Sequence, residues 1–169
     1  MFTLPIFGSK DKNKNRSVNF SFCSGIPGFA RGVAVNATLE NAEKRLRIQL
    51  RASKNPPVYL AYSQICGVSI VTEQQIEQVQ KGVLGRAAVG GVLLGPVGAI
   101  VGGMTGLGTE KKVSSRSYVI LNYHPASVPD QIKIVSLEIV GATMGLAKFV
   151  SEIRENCPLI SSQPPSGYL

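Results

Sequence analysis

The chain has 169 residues, 44% of them hydrophobic and 17% charged, with a formal net charge of +8. That is long enough for one domain with a true core and too short for two comfortable ones. Its three cysteines, Cys23, Cys66 and Cys157, are too few and too widely spaced for a disulfide framework or a paired-cysteine zinc or redox site; they read as buried small hydrophobes or free thiols of a reducing compartment.

Taken in chain order, residues 1–17 read as a flexible basic segment. Pro5 and Gly8 interrupt the apolar residues Met1, Phe2, Leu4, Ile6 and Phe7, so no secretory leader is expected and the chain is placed in the cytoplasm. Residues 10–16 alternate charged with polar side chains and hold no apolar member, the mark of a solvated linker. The short tip ahead of it is either a frayed terminus, a strand added to a sheet edge, or a weak membrane tether backed by basic charge.

From Val18 the period becomes two. Phe20 and Phe22 alternate with Asn19 and Ser21 before Gly25, Pro27 and Gly28 break the run. Val33, Val35, Ala37 and Leu39 share one side against Asn36, Thr38 and Glu40, and after a tight connection at Asn41-Ala42, Leu46, Ile48 and Leu50 alternate with Arg45, Arg47, Gln49 and Arg51. These two runs predict a hairpin with one dry and one wet side. Further strands are expected over residues 58–61, 65–71 and 76–79.

Residues 87–109 then run without a charge, and glycine recurs at Gly91 and Gly95 and, in a second register, at Gly98, Gly102 and Gly106. On a helix such spacing makes a flat stripe that lets backbones approach closely. Pro96, between Gly95 and Gly98, reads as a turn. Two helices of about eight residues would each rise roughly 12 Å against a hydrocarbon layer of ~30 Å, so a hairpin could enter a bilayer without crossing it. The segment is either a membrane-inserting element, a self-associating glycine zipper, or a compact hairpin folded on the domain or a neighbouring subunit.

Beyond it, residues 117–123 are dense in β-branched and aromatic side chains. Residues 131–140 form another strand, whose Ile132, Ile134, Val135, Leu137 and Ile139 are too many for one face and require two covered faces or a bulge. The period turns helical where Leu146, Phe149, Val150, Ile153 and Cys157 align, until Pro158. Residues 158–169 read as a disordered tail. The expected architecture is mainly β: a barrel or sandwich of about seven antiparallel strands, capped by one C-terminal helix and carrying the glycine-rich hairpin as an insertion, over residues 18–157.

That order resembles the pleckstrin-homology-like fold. Phe22-Cys23-Ser24-Gly25-Ile26-Pro27-Gly28-Phe29, followed by Gly32 and the hairpin, is similar to the start of bacterial PH-like domain proteins, and residues 85–106 resemble the glycine-rich insertion that many of them carry, placed here at 85–108. The resemblance implies a binding scaffold without a shared ligand. In phosphoinositide-binding PH domains, basic residues at the first hairpin hold phosphates; Lys44, Arg45, Arg47, Arg51 and Lys54 are similar to the second half of that pattern, while residues 33–39 hold no lysine.

Chemistry finds no foothold in the sequence. His124 is the one histidine and sits at a strand end, where a turn or packing role outweighs general-base work. The glycine segment lacks the Gly-Lys-Ser/Thr ending of a phosphate loop. The expectation is therefore a non-enzymatic module with no cofactor, no metal and no small-molecule substrate, peripheral at the inner membrane face or self-associating. Its apolar contact would be Gly91, Leu94, Gly95, Pro96, Gly98, Ile100, Gly102 and Gly106, and its electrostatic one Lys44, Arg45, Arg47, Arg51 and Lys54. A soluble protein-binding adaptor with the segment buried is the rival reading. A basic single-strand nucleic-acid binder is a third, disfavoured by the absence of Trp and of aromatics interleaved with basic residues.

Overall fold

The computed structural model describes residues 15–75, 116–141 and 143–161. The expected tip at residues 1–7, the strand at 76–79, the glycine-rich segment and the last eight residues lie outside them. The strands are β1 (Arg16–Ser24), β2 (Ala34–Glu40), β3 (Arg45–Leu50), β4 (Val58–Ala61), β5 (Ile65–Thr72), β6 (Ser117–Tyr123) and β7 (Lys133–Glu138), followed by α1 (Leu146–Asn156) and α2 (Pro158–Ser161). As expected, seven antiparallel strands form the fold, and they make one continuous sheet in the order β4-β3-β2-β1-β7-β6-β5. The first strand joins the last, which links the two halves of the sheet.

Alternation decides the inner face. Val35, Ala37 and Leu39 of β2 and Leu46 and Ile48 of β3 are fully buried and meet Val119, Leu121, Val135 and Leu137 from the other half of the sheet. A curled sheet leaves this core open at one end, and α1 closes it with Phe149, Val150 and Ile153. Phe149 packs against Phe20 in a tilted arrangement with ring centroids 5.9 Å apart. Arg16 reaches from β1 to Glu152 of α1 at 2.7 Å, so β1 starts two residues before Val18 and recruits the end of the basic linker to hold the helix.

Three further differences have local causes. Pro158 ends α1 as expected, yet it opens a short second helix, because proline suits a first helical turn where its missing N–H is not needed; Ile160 of α2 packs on the core. At the end of β5 the chain turns helical over residues 73–75. The Thr72 backbone N–H donates to Gln75 Oε1 at 2.9 Å while the Gln75 N–H donates to Thr72 Oγ1 at 3.3 Å, a reciprocal capping box legible as Thr-x-x-Gln. The strand expected from Ile76 is thus preceded by a helical turn. Finally, β7 is shorter than residues 131–140. Its apolar excess is accommodated by two covered faces, with the bulge falling on β1 between Phe22 and Ser24.

Candidate functional site

The outer face of the sheet divides into a wet half and a dry half. The wet half belongs to β1–β4. Antiparallel register places Glu40 opposite Arg45, Thr38 opposite Arg47, and Arg47 opposite Tyr59. Directly opposed and diagonal side chains lie within reach of one another, and Glu40 uses both relations. Its Oε2 accepts from Arg45 Nε at 2.6 Å, while Arg47 Nε stands 3.2 Å from Oε1, an ion pair without hydrogen-bond alignment. The Arg45 guanidinium carbon also lies 4.1 Å from the Tyr59 ring centroid, a cation–π contact. The hydrogen bond to Glu40 is the main cause that holds Arg45 above its ordinary value.

Next to this cluster Asn36 Oδ1 accepts from Ser17 and Thr38 hydroxyls, each at 2.7 Å, and Asn36 Nδ2 donates to Asn19 Oδ1 at 2.9 Å. The wet half is therefore a cross-linked polar lattice rather than a row of loose charges. Lys44 stands in the turn before β3 with a left-handed φ of 52°, a conformation that costs a non-glycine residue roughly 1–2 kcal/mol. Arg51 and Lys54 follow β3 and are exposed. The six residues of β3 put on the order of 20 Å between these two ends. The five basic residues are thus not one pocket. Arg45 and Arg47 come together in the centre and share one carboxylate, while Lys44 marks one end and Arg51 with Lys54 the other. Glu40 and Tyr59 escaped the reading of the sequence, though the hairpin register alone would have put both beside the arginines.

The dry half is the outer face of β5, β6 and β7. Ser69, Tyr118, Ile120, Asn122 and Ser136 are each at most 1% exposed, yet none belongs to the core cluster on the other side. Among the described residues neither carboxamide atom of Asn122 has a hydrogen-bond partner. It faces Gly67, where an added Cβ would stand 2.8 Å from Asn122 Nδ2, so glycine at this position makes room for the amide.

His124 lies at the end of β6, and its Nδ1 is 2.7 Å from the Pro129 carbonyl. A carbonyl only accepts, so Nδ1 carries the proton and the ring fastens the β6–β7 turn. Cys23, Cys66 and Cys157 are free and buried; burial pushes the Cys157 thiol up to about 12 and raises the other two. Among the described residues no three His, Cys, Asp or Glu side chains gather as metal ligands, and no helix is long and apolar enough to cross a membrane.

Comparison with known families gives a match, over residues 32–144, to the family described as glycine zipper containing PH domain. It takes in about two thirds of the chain, from the turn before β2 through the glycine-rich segment and β7. Comparison with curated proteins and with solved structures gives no match.

Proposed function

The chain belongs to the family of glycine zipper containing PH domains, and from that footing we propose that it is a non-enzymatic binding module that docks at the inner face of a membrane. Residues 87–106 supply the apolar contact, through Leu94, Pro96 and Ile100 with the glycines at 91, 95, 98, 102 and 106. The basic ends of β3, Lys44 on one side and Arg51 and Lys54 on the other, supply the electrostatic one, with Arg45 and Arg47 partly neutralised between them by Glu40. The observation that carries the reading is the pairing, within one family-matched span, of an uncharged segment with an exposed basic hairpin. An apolar contact joined to basic residues is the two-part arrangement that holds a protein at an anionic surface.

Self-association is the second reading, favoured by the fourfold glycine spacing, which suits a second copy of the same segment as well as lipid. Vesicle flotation separates the two. Flotation with anionic vesicles that persists in high salt and is lost when residues 87–106 are deleted supports lipid docking. A particle that never floats but loses a dimer or larger species on the same deletion supports self-association. Flotation that salt abolishes and the deletion leaves intact assigns the contact to the basic hairpin alone.

A further inference from the structure

We infer that the loop joining β7 to α1 is a second lipid contact, made by Val140 and Met144; the inference rests on the membrane reading above and adds an element to it. Among the described residues these two are the most exposed large apolar side chains, at 63% and 96%, and the next, Tyr59, is 44% exposed beneath a cation–π contact. A lone exposed apolar residue needs no explanation. Two in one short loop, within a stretch from Ile139 to Ala147 that carries no charge, make an apolar tip of the kind that marks an interaction site.

Local structure holds the tip outward. Ile139 and Leu146 pack on the core and anchor the two feet of the loop, while Gly141 and Gly145 turn the chain with left-handed φ of 67° and 86°. The Thr143 hydroxyl lies 3.4 Å from the carbonyl oxygens of both Val140 and Gly141, and the Leu146 N–H donates to the Thr143 carbonyl at 3.3 Å. The tip is thus formed before any partner arrives, which lowers the ordering cost of burying it.

The position of the loop selects lipid as its occupant. The Ile139 N–H donates to the Ser117 carbonyl at 2.8 Å, and Ser117 pairs with Thr72. Val140 therefore follows directly on the place where residues 73–116, which include the uncharged stretch, leave the sheet and return. For that stretch to reach lipid, this rim must approach the bilayer, and it is the rim that carries the tip. At the other foot, a Cβ on Gly145 would stand 3.6 Å from Arg16 Nη1. Charge agrees with the same surface. Glu138, just before the loop, faces Arg116 at 3.7 Å, and Glu152 faces Arg16 at 2.7 Å. Both carboxylates are matched, and Lys148, the first charged residue after the loop, is exposed, an arrangement that suits anionic headgroups.

The test uses the full chain and vesicles of phosphatidylglycerol and phosphatidylcholine. Val140→Thr combined with Met144→Gln removes apolar surface without adding charge. It should raise the lipid concentration at half-saturation about tenfold, since full immersion of one such side chain is worth that factor or more, and leave the melting temperature unchanged because both side chains are exposed. Independently, a fluorophore on Met144→Cys, attached while the native thiols are buried, should be quenched by brominated acyl chains. The same fluorophore on Val128→Cys, exposed in the turn that precedes β7 and so at its other end, should not be. The quenching reads the same contact even if the double variant melts early. An unchanged titration, no quenching at position 144, or equal quenching at both positions overturns the inference and leaves the membrane reading standing. A native chain that does not bind these vesicles at all overturns both.

Discussion

Gly67→Ala should destabilise the fold through one neighbour, and a second substitution should undo it. The new Cβ would lie 2.8 Å from Asn122 Nδ2 and 3.4 Å from Asn122 Cβ. A flexible amide on an open surface would step aside at little cost, but Asn122 is 0% exposed, so its amide can shift only against buried neighbours. Overpacking of this kind costs about 1–3 kcal/mol. With a urea slope of about 1–3 kcal/mol per molar, the midpoint should fall by about 1 M without a change of slope. Asn122→Ala removes the obstructing amide, so the double variant should be more stable than the sum of the single effects by about 0.5–3 kcal/mol, the range for residues in contact. Chemical denaturation of the four proteins, followed by circular dichroism, closes the cycle. Additive effects would mean that Gly67 is required for some reason other than room for Asn122, and the account of this close approach would fail.

Three more outcomes follow from the geometry. Glu40→Gln removes the carboxylate that Arg45 and Arg47 share; one more uncompensated charge near an anionic surface should tighten binding to anionic vesicles about fivefold at low salt, and an unchanged vesicle titration would show that this part of the hairpin does not face the lipid. Gly25→Ala places a Cβ against the Ile134 carbonyl at a φ of 106°, whereas Gly28→Ala meets nothing within 4 Å at a φ of 84°. The first should cost about 3 kcal/mol or more and the second about 1–2 kcal/mol, and equal melting temperatures for the two would refute the close approach of loop and strand. Finally, the unfolded chain releases the Cys157 proton near its ordinary 9.0, while the folded chain holds it to about 12. Between those values the folded state binds more protons, so stability should be level below about pH 9 and then fall by about 1.4 kcal/mol per pH unit for this one group. Cys66 and Tyr62, also raised by burial, act in the same direction. A urea midpoint that stays flat up to about pH 11 would contradict the buried thiol.

Much of the fold was legible in the sequence because each strand writes its burial at period two. Val35, Ala37 and Leu39 against Asn36 and Thr38, and Leu46 and Ile48 against Arg45 and Arg47, determine the hairpin and its wet side without any knowledge of the partner strands. The helix was legible for the same reason at period 3.6. Closure of the sheet was not, since the pairing of β1 with β7 joins Phe22 to Leu137, and no local pattern records a partner so distant in the chain. The second dry face was half legible. The apolar surplus at Ile134, Val135 and Leu137 called for cover on both sides or a bulge, but Ser69, Asn122 and Ser136 look like solvent-facing residues until the structure shows them buried. Arg45 and Arg47 fall on the wet side of the first hairpin as the alternation indicates, and Glu40 lies in the same strand pattern, but only register turns it into the partner of both arginines.

The most direct test of the proposed role places an environment-sensitive dye at the segment itself. Leu94→Cys is labelled under native conditions, in which the three native thiols are buried, and emission is followed as anionic vesicles are added. Docking through residues 87–106 predicts a blue shift with increased intensity that survives high salt once the complex has formed, since apolar burial is not screened. Emission that stays unchanged while the protein co-floats with the same vesicles would contradict the account, because the contact would then lie elsewhere on the domain.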